Sequence, residues 1–280
     1  MRTQAEKGRI FRELHERPGI FVIPNPWDAG TAKLLWSLGF EALATTSLGF
    51  ASSIGRSDGT LSITREELIE NCRQIAQATD LPVNADLENG YADEPEKAAE
   101  IFRLAAEAGV VGGSIEDSTG NRDKPIYDFD FAVARVRAAA KVVRGLPFTF
   151  TLTARAENFL HGRPDVEDTI KRLNAFAEAG ADVLYAPGLK DLETIRKVVS
   201  SVKKPVNVVM GLADPGLTLQ QLEDAGVKRV SVGGALSRLA YAAVRDAALA
   251  MRDQGSFQWV RELMTAKDLR AVVQYKGKEG

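Results

Sequence analysis

Cysteine is nearly absent from this 280-residue chain and histidine is scarce: Cys72 stands alone, and only His15 and His161 carry imidazoles. One thiol cannot form an internal disulfide framework or a cysteine-rich zinc site. No apolar run approaches the roughly 18–20 residues that a membrane-spanning helix requires. An excess of one charge is missing as well. The 36 basic side chains face 38 acidic ones, a net charge of −2, so no positive field invites nucleic acid or an anionic membrane. Residues Met1 to Gly8 lack the apolar stretch and small-residue cleavage site of an export signal. A cytoplasmic protein with a small-molecule partner is the expectation. The chain is 45% hydrophobic and 26% charged, as in ordinary globular proteins, and long enough for a large α/β core.

Alternation of short apolar runs with segments of helical period extends from end to end. Eight runs read as strands buried on both faces: Phe21–Asn25, Ala42–Ser47, Leu81–Glu88, Val110–Asp117, Phe148–Arg155, Asp182–Ala186, Pro205–Met210 and Arg229–Gly233. Thr64 with Glu67, and Thr218 with Gln221, have the spacing of capping boxes. Gly39, Gly109, Gly180 and Gly226 close helices just before the next strand. About eight such units predict an α/β fold, a (β/α)8 TIM barrel with additional N- and C-terminal helices. An open doubly wound sheet would show a glycine-rich turn after its first strand; here that turn is Asn25-Pro26-Trp27-Asp28-Ala29-Gly30. No linker or composition shift divides the chain, so residues 1–280 are expected to form a single domain. Residues 257–280 read as a C-terminal helical tail, with Trp259, Val260, Leu263, Met264 and Leu269 as its apolar side chains.

Polar residues gather where the apolar runs end, which is where a TIM barrel keeps its catalytic groups. Val83 runs into Asp86 and Glu88, whose i, i+2 spacing would point both carboxylates to one side of a strand. The next strand ends at Glu116 and Asp117, of which Glu116 falls on the lumen side of the pleat. Oxygen donors on neighbouring strands are what a hard divalent cation seeks, so Asp86, Glu88 and Glu116 are the candidate metal ligands. Arg155 closes a strand at the same mouth and would be costly to bury unpaired. Cys72 lies on a core stripe and reads as an inert buried thiol. His15 reads as a surface residue of a charged helix and His161 as a solvated loop residue. Gly233-Gly234-Ala235 has the form of a phosphate-gripping turn, but close helix–strand packing is the preferred reading.

Several segments in order resemble the isocitrate lyase/phosphoenolpyruvate mutase superfamily: Asn25-Pro-Trp-Asp-Ala-Gly30, Thr45-Thr-Ser-Leu48 leading to Gly55-Arg-Ser-Asp58, Asp86-Leu-Glu-Asn-Gly-Tyr91, Ser114-Ile-Glu-Asp117 and Thr153-Ala-Arg-Ala-Glu157. The resemblance implies Mg2+ as cofactor, with Mn2+ as a substitute, and chemistry on 2-oxo or 2-hydroxy carboxylates through a pyruvate-like enolate held on the metal. It implies Arg155, Asp58 and Glu116 as catalytic residues. Thr45, Thr46, Ser47, Leu48, Arg155 and Asn207 would bind substrate, and Asp86, Glu88 and Glu116 the metal. The lyases' Lys-Lys/Arg-Cys-Gly-His loop is replaced here by the segment from Asp117 to Tyr127, which has neither cysteine nor histidine. Ser118 stands where the mutases have a lysine, and Ala186 where the family has a histidine. The lid candidates are then Asn121, Arg122, Lys124 and Tyr127.

The leading expectation is a Mg2+-dependent C–C bond lyase or decarboxylase acting on a small 2-oxo or 2-hydroxy dicarboxylate. A phosphonopyruvate or phosphoenolpyruvate mutase or hydrolase is the alternative, and a non-catalytic 2-oxo acid binder the third. The same resemblance implies a homodimer or homotetramer whose terminal helices pack on a neighbouring subunit.

Overall fold

The computed structural model describes residues 1–59 and 62–277. Eight parallel strands form one sheet in the order β1-β8-β7-β6-β5-β4-β3-β2. They are β1 Phe21–Ile23, β2 Leu43–Ala44, β3 Val83–Asp86, β4 Gly112–Glu116, β5 Thr151–Arg155, β6 Val183–Tyr185, β7 Val206–Val209 and β8 Arg229–Ser231. Every predicted strand is present, but shorter than its apolar run. A backbone bond from the Ala44 amide to the Pro24 carbonyl (3.0 Å) spans the seam between β1 and β2. The result is a nearly closed α/β barrel of the TIM type.

Helices alternate with the strands: α1 Gln4–Glu16, α2 Ala29–Ser37, α3 Ser47–Ser53, α4 Arg65–Ala78, α5 Pro95–Glu107, α6 Phe129–Arg144, α7 Val166–Glu178, α8 Leu192–Ser200, α9 Leu219–Asp224, α10 Ala235–Gln254 and α11 Ala266–Gln274. Both expected capping boxes form, at Thr64–Glu67 and Thr218–Gln221. The four glycines expected to end helices all have positive φ, from 84° at Gly226 to 112° at Gly180. At Gly180 a side chain is excluded twice over, since a Cβ there would also lie 2.7 Å from that of Ala140. Among the described residues no helix is long and apolar enough to cross a membrane.

The tail differs from a single helix. Residues Gln258–Glu262 form a 3-10 turn before α11. The end of α11 folds back on this chain's own α2, where Tyr275 meets Trp36 edge-on at 5.0 Å and Lys33 donates to the Val273 carbonyl at 2.7 Å. The last three residues of the tail lie outside the described residues.

His15 is buried, not on the surface, because α1 closes the bottom of the barrel. Phe11 and Phe21 pack edge-on against its ring at 4.8 and 5.0 Å. Its Nδ1 lies 2.7 Å from the Phe11 carbonyl and its Nε2 lies 3.3 Å from Nη1 of Arg229. An arginine can only donate, so Nε2 accepts and Nδ1 carries the single proton. Burial first, and then Arg229, push the His15 pKa from 6.5 to about 3. The unfolded chain therefore takes up a proton that the folded one refuses. The neutral ring's contribution is complete above about pH 6.5 and is lost as pH falls toward 3. Urea unfolding at pH 7.5 and 5.0 should show the wild type losing about 2 kcal/mol more than His15→Gln, at roughly 1.4 kcal/mol per pH unit. Equal losses would contradict the buried neutral ring.

Candidate active site

Strand register brings the acidic residues together. Glu116 pairs with Arg155 across β4 and β5, and Asp86 pairs with Ser114 across β3 and β4. Asp86, Glu116 and Arg155 are the last residues of their strands, so all three project at the C-terminal mouth. The Arg155 guanidinium sits among the carboxylates: Nη1 is 2.9 Å from Asp86, Nη2 is 3.1 Å from Glu116, and Nε is 2.8 Å from Glu157. The Tyr185 ring lies 5.1 Å from its centre.

Glu88 reaches the same mouth by a different route from the expected strand alternation. The strand ends at Asp86, and Glu88 adopts φ +48°, a left-handed conformation unusual for a residue with a side chain. Arg135 of α6 donates to the carbonyls of Asn89, Ala92 and Asp93 and so clamps this loop from outside. Glu88 is buried and accepts from the Tyr91 hydroxyl at 3.2 Å. Asp58, on an exposed stretch after α3, turns its carboxyl toward Ser47 and Asp86.

Asp58, Asp86, Glu88, Glu116 and Glu157 thus share one guanidinium. Like charges about 4 Å apart repel by about 4 kcal/mol at an effective dielectric of about 20, so one cation cannot balance the set. Burial, followed by Asp86 and Asp58, raises Glu88 to about 7. Burial raises Glu116 well above the carboxylate range, with Arg155 opposing. Burial and then Asp86 raise Asp58. For Arg155, burial acts to lower the pKa, but Glu116, Glu157 and Asp86 outweigh it and hold the guanidinium charged.

Among the described residues no group of three acids stands ready to enclose a metal ion, and Arg155 bridges Asp86 and Glu116. Magnesium does not require such a cage. It usually keeps several waters and takes only one or two carboxylates. Hard oxygen donors with excess negative charge therefore fit Mg2+ better than a softer metal. Asp86, Glu88 and Glu116 would be the residues to hold it.

Thr45 to Leu48 form the adjoining wall. The Thr45 hydroxyl accepts from the Asp86 amide at 2.8 Å, and Thr46 caps α3. The amide and hydroxyl of Ser47 lie 3.2 and 3.1 Å from the second Asp86 oxygen. Leu48 fits against Gly234, where a Cβ would lie 2.5 Å away, so the Gly233-Gly234 turn serves close packing. These residues border a cavity of about 290 Å³ that extends down the lumen to Asn207. A second cavity, of about 310 Å³, lies between the acids and the loop after β4.

That loop is a small hairpin, with Ser118 bridged to Ile126. Asn121, Arg122 and the exposed His161 border the second cavity. Lys124 and Tyr127 do not border it. Lys124 points outward to Asp128 (2.6 Å), while Tyr127 is buried, bonded to Asp93 (2.5 Å) and stacked on Arg135. Asp117 belongs to the frame: it pairs with Arg172 at 3.0 Å and accepts the Glu157 amide at 2.8 Å. Cys72 is fully buried, and burial pushes its thiol up to about 12, which leaves it inert.

Two residues of the site were given no role in the sequence reading. Glu157 lies two residues beyond Arg155, the same spacing that drew attention to Asp86 and Glu88. Tyr185 carried no comparable signal, because an aromatic residue in an apolar run reads as core.

The sequence model of the phosphoenolpyruvate phosphomutase family matches residues 11–252. A crystal structure of a Burkholderia cenocepacia protein, provisionally described as a lyase or mutase, superimposes with a TM-score of 0.95 at 53% identity, covering 98% of each chain. An uncharacterized Mycobacterium tuberculosis protein is 33% identical over 87% of this chain and 89% of its own. The oxaloacetate decarboxylase of Paraburkholderia xenovorans is 31% identical over 71% of this chain and 67% of its own. The chain therefore belongs to the phosphoenolpyruvate phosphomutase family, within the isocitrate lyase/phosphoenolpyruvate mutase superfamily of lyases, mutases and hydrolases.

Proposed function

We propose that the protein is a Mg2+-dependent C–C bond lyase or decarboxylase acting on a small 2-oxo or 2-hydroxy dicarboxylate. The observation that carries this reading is the Arg155 guanidinium paired with Asp86, Glu116 and Glu157, with Asp58 and Glu88 close by, beside a cavity of small-metabolite size. Bound Mg2+ would supply Lewis-acid stabilisation of negative charge developing on the substrate oxygen. With the acids neutralised, Arg155 can turn one edge of its planar fork to a substrate carboxylate, a bidentate match of charge and shape. The Ser47 amide and hydroxyl, now directed at Asp86, are placed to take a second substrate oxygen. Tyr185 shields the guanidinium from water on one side. Asn121, Arg122 and His161 face the acids and are the groups in reach for proton delivery or closure.

The likeness to an oxaloacetate decarboxylase supports the C–C reading. Phosphonopyruvate chemistry would need several lid cations for the phosphonyl oxygens, and only Arg122 of the two basic lid candidates faces the cavity. A binder without turnover is separated by assay alone. Asp86→Ala should abolish Mg2+ binding in calorimetry and lower turnover of a 2-oxo or 2-hydroxy dicarboxylate by about 10²-fold or more. Full activity in that variant, or turnover of phosphonopyruvate alone, would contradict the assignment.

A homodimer or homotetramer is part of the same reading. Helix α10 buries only Ser237, and Leu239, Val244, Phe257, Val260, Leu263 and Met264 are exposed along it and the following segment. So many exposed large apolar side chains on one helix and the segment after it support an interface there. Light scattering should give a dimer or tetramer at micromolar concentration, and a monomer would refute it.

A further inference from the structure

Below the acids the lumen departs from the usual TIM core, in which layers of bulky branched side chains fill the barrel. The inward positions one pleat beneath Asp86, Glu116 and Arg155 are Asn84, Ser114 and Thr153, all buried. The cavity under the mouth is bordered at this depth by Asn84, Ser114, Tyr185, Asn207, Ser231 and, at its floor, Arg229. Two of these carry unmet hydrogen-bonding capacity. Asn84 Oδ1 is buried without a partner, and the Tyr185 hydroxyl has none among the described residues.

Arg229 is the unusual member. It is 3% exposed, yet its partners are all neutral: Asn207 Oδ1 at 2.8 Å, Thr153 Oγ1 at 3.1 Å and His15 Nε2 at 3.3 Å. A guanidinium has five N–H donors, so one on each terminal nitrogen lacks an acceptor among the described residues. Of the other buried arginines, Arg155 and Arg172 have carboxylate partners, and Arg135 has three backbone carbonyls although its Nε is without a partner. Burial lowers the Arg229 pKa to about 10, still charged at neutral pH. A buried cation without a counter-anion is costly, and it persists here at the floor of a cavity open to the mouth.

We propose that Arg229 anchors the distal carboxylate of the substrate, which stands along the barrel axis with its 2-oxo end among the acids and its far end at the floor. The inference rests on the function proposed above and narrows it to dicarboxylates of four or five carbons. Thr153, which Arg229 touches, lies two residues below Arg155 on β5, an offset of about 6.6 Å. A four- or five-carbon dicarboxylate spans that distance. Tyr185 supplies a hydroxyl midway, and the neutral His15 behind Arg229 leaves the positive charge for the ligand.

Calorimetry in Mg2+ with two unreactive ligands tests this. Oxalate fills only the upper layer, whereas difluorooxaloacetate would reach the floor. Arg229→Gln should weaken difluorooxaloacetate about tenfold or more and leave oxalate within about twofold, the signature of one lost charge-assisted contact. Tyr185→Phe, which removes no bond of the fold, should weaken the longer ligand alone. Should Arg229→Gln fail to fold, the distal methyl ester of difluorooxaloacetate on the wild type reads the same contact and should bind correspondingly worse. Unchanged affinity for the longer ligand or its ester, or equal loss for both ligands, overturns the subsite. Failure of oxalate to bind the wild type in Mg2+ overturns the function proposed above instead. Succinate titrated in EDTA then reads Arg229 alone: binding lost in Arg229→Gln supports the subsite, and absent or unchanged binding overturns it.

Discussion

One guanidinium surrounded by too many carboxylates is the constraint around which the upper half of this barrel is organised. Arg155 contacts Asp86, Glu116 and Glu157 directly, and Glu88 and Asp58 crowd the same volume. Such a cluster is destabilising unless the frame compels it. The frame does so with paired, well-satisfied groups one layer out. Arg172 takes Asp117 and Asp168, and Arg135 takes the carbonyls of the loop that carries Glu88. Outside, charges are matched; inside, they are left unbalanced. That contrast separates frame from site more clearly than any single distance.

The lumen continues the pattern downward. Small and polar residues replace the branched side chains that usually fill such a core, so the cavity reaches past the acids to Arg229. His15 on α1 then closes the barrel from below with a ring that must stay neutral. The N-terminal helix therefore does more than cover an apolar end. It sets the tautomer behind the floor cation, and so links the stability of the fold to the polarity of the site.

Most of the architecture was legible in local sequence because its signals are local. Capping boxes at Thr64 and Thr218 and the glycine stops at Gly39, Gly109, Gly180 and Gly226 act within one turn of chain, and they delimit the units. The acids Asp86 and Glu116 were legible because strand register is shared by neighbours. What local sequence did not show depended on tertiary direction. His15 sits among Arg9, Arg12, Glu13 and Glu16, a charged context that conceals burial beneath a barrel. Glu88 required a left-handed backbone that alternation cannot foresee. Lys124 and Tyr127 stood at lid spacing, but their partners Asp128, Asp93 and Arg135 turn them away. Arg229 was visible only as the charged first residue of an apolar run, with nothing to say that it points inward.

If the carboxylate cluster is a cation site, a cation should displace Arg155 from part of its present contacts. Anomalous scattering from crystals soaked with Mn2+ and oxalate tests this directly. The account predicts a peak among Asp86, Glu88 and Glu116, with oxalate beside it and Arg155 turned toward the ligand. A map with no peak there, in which Arg155 keeps Asp86, Glu116 and Glu157 as its partners, would contradict it.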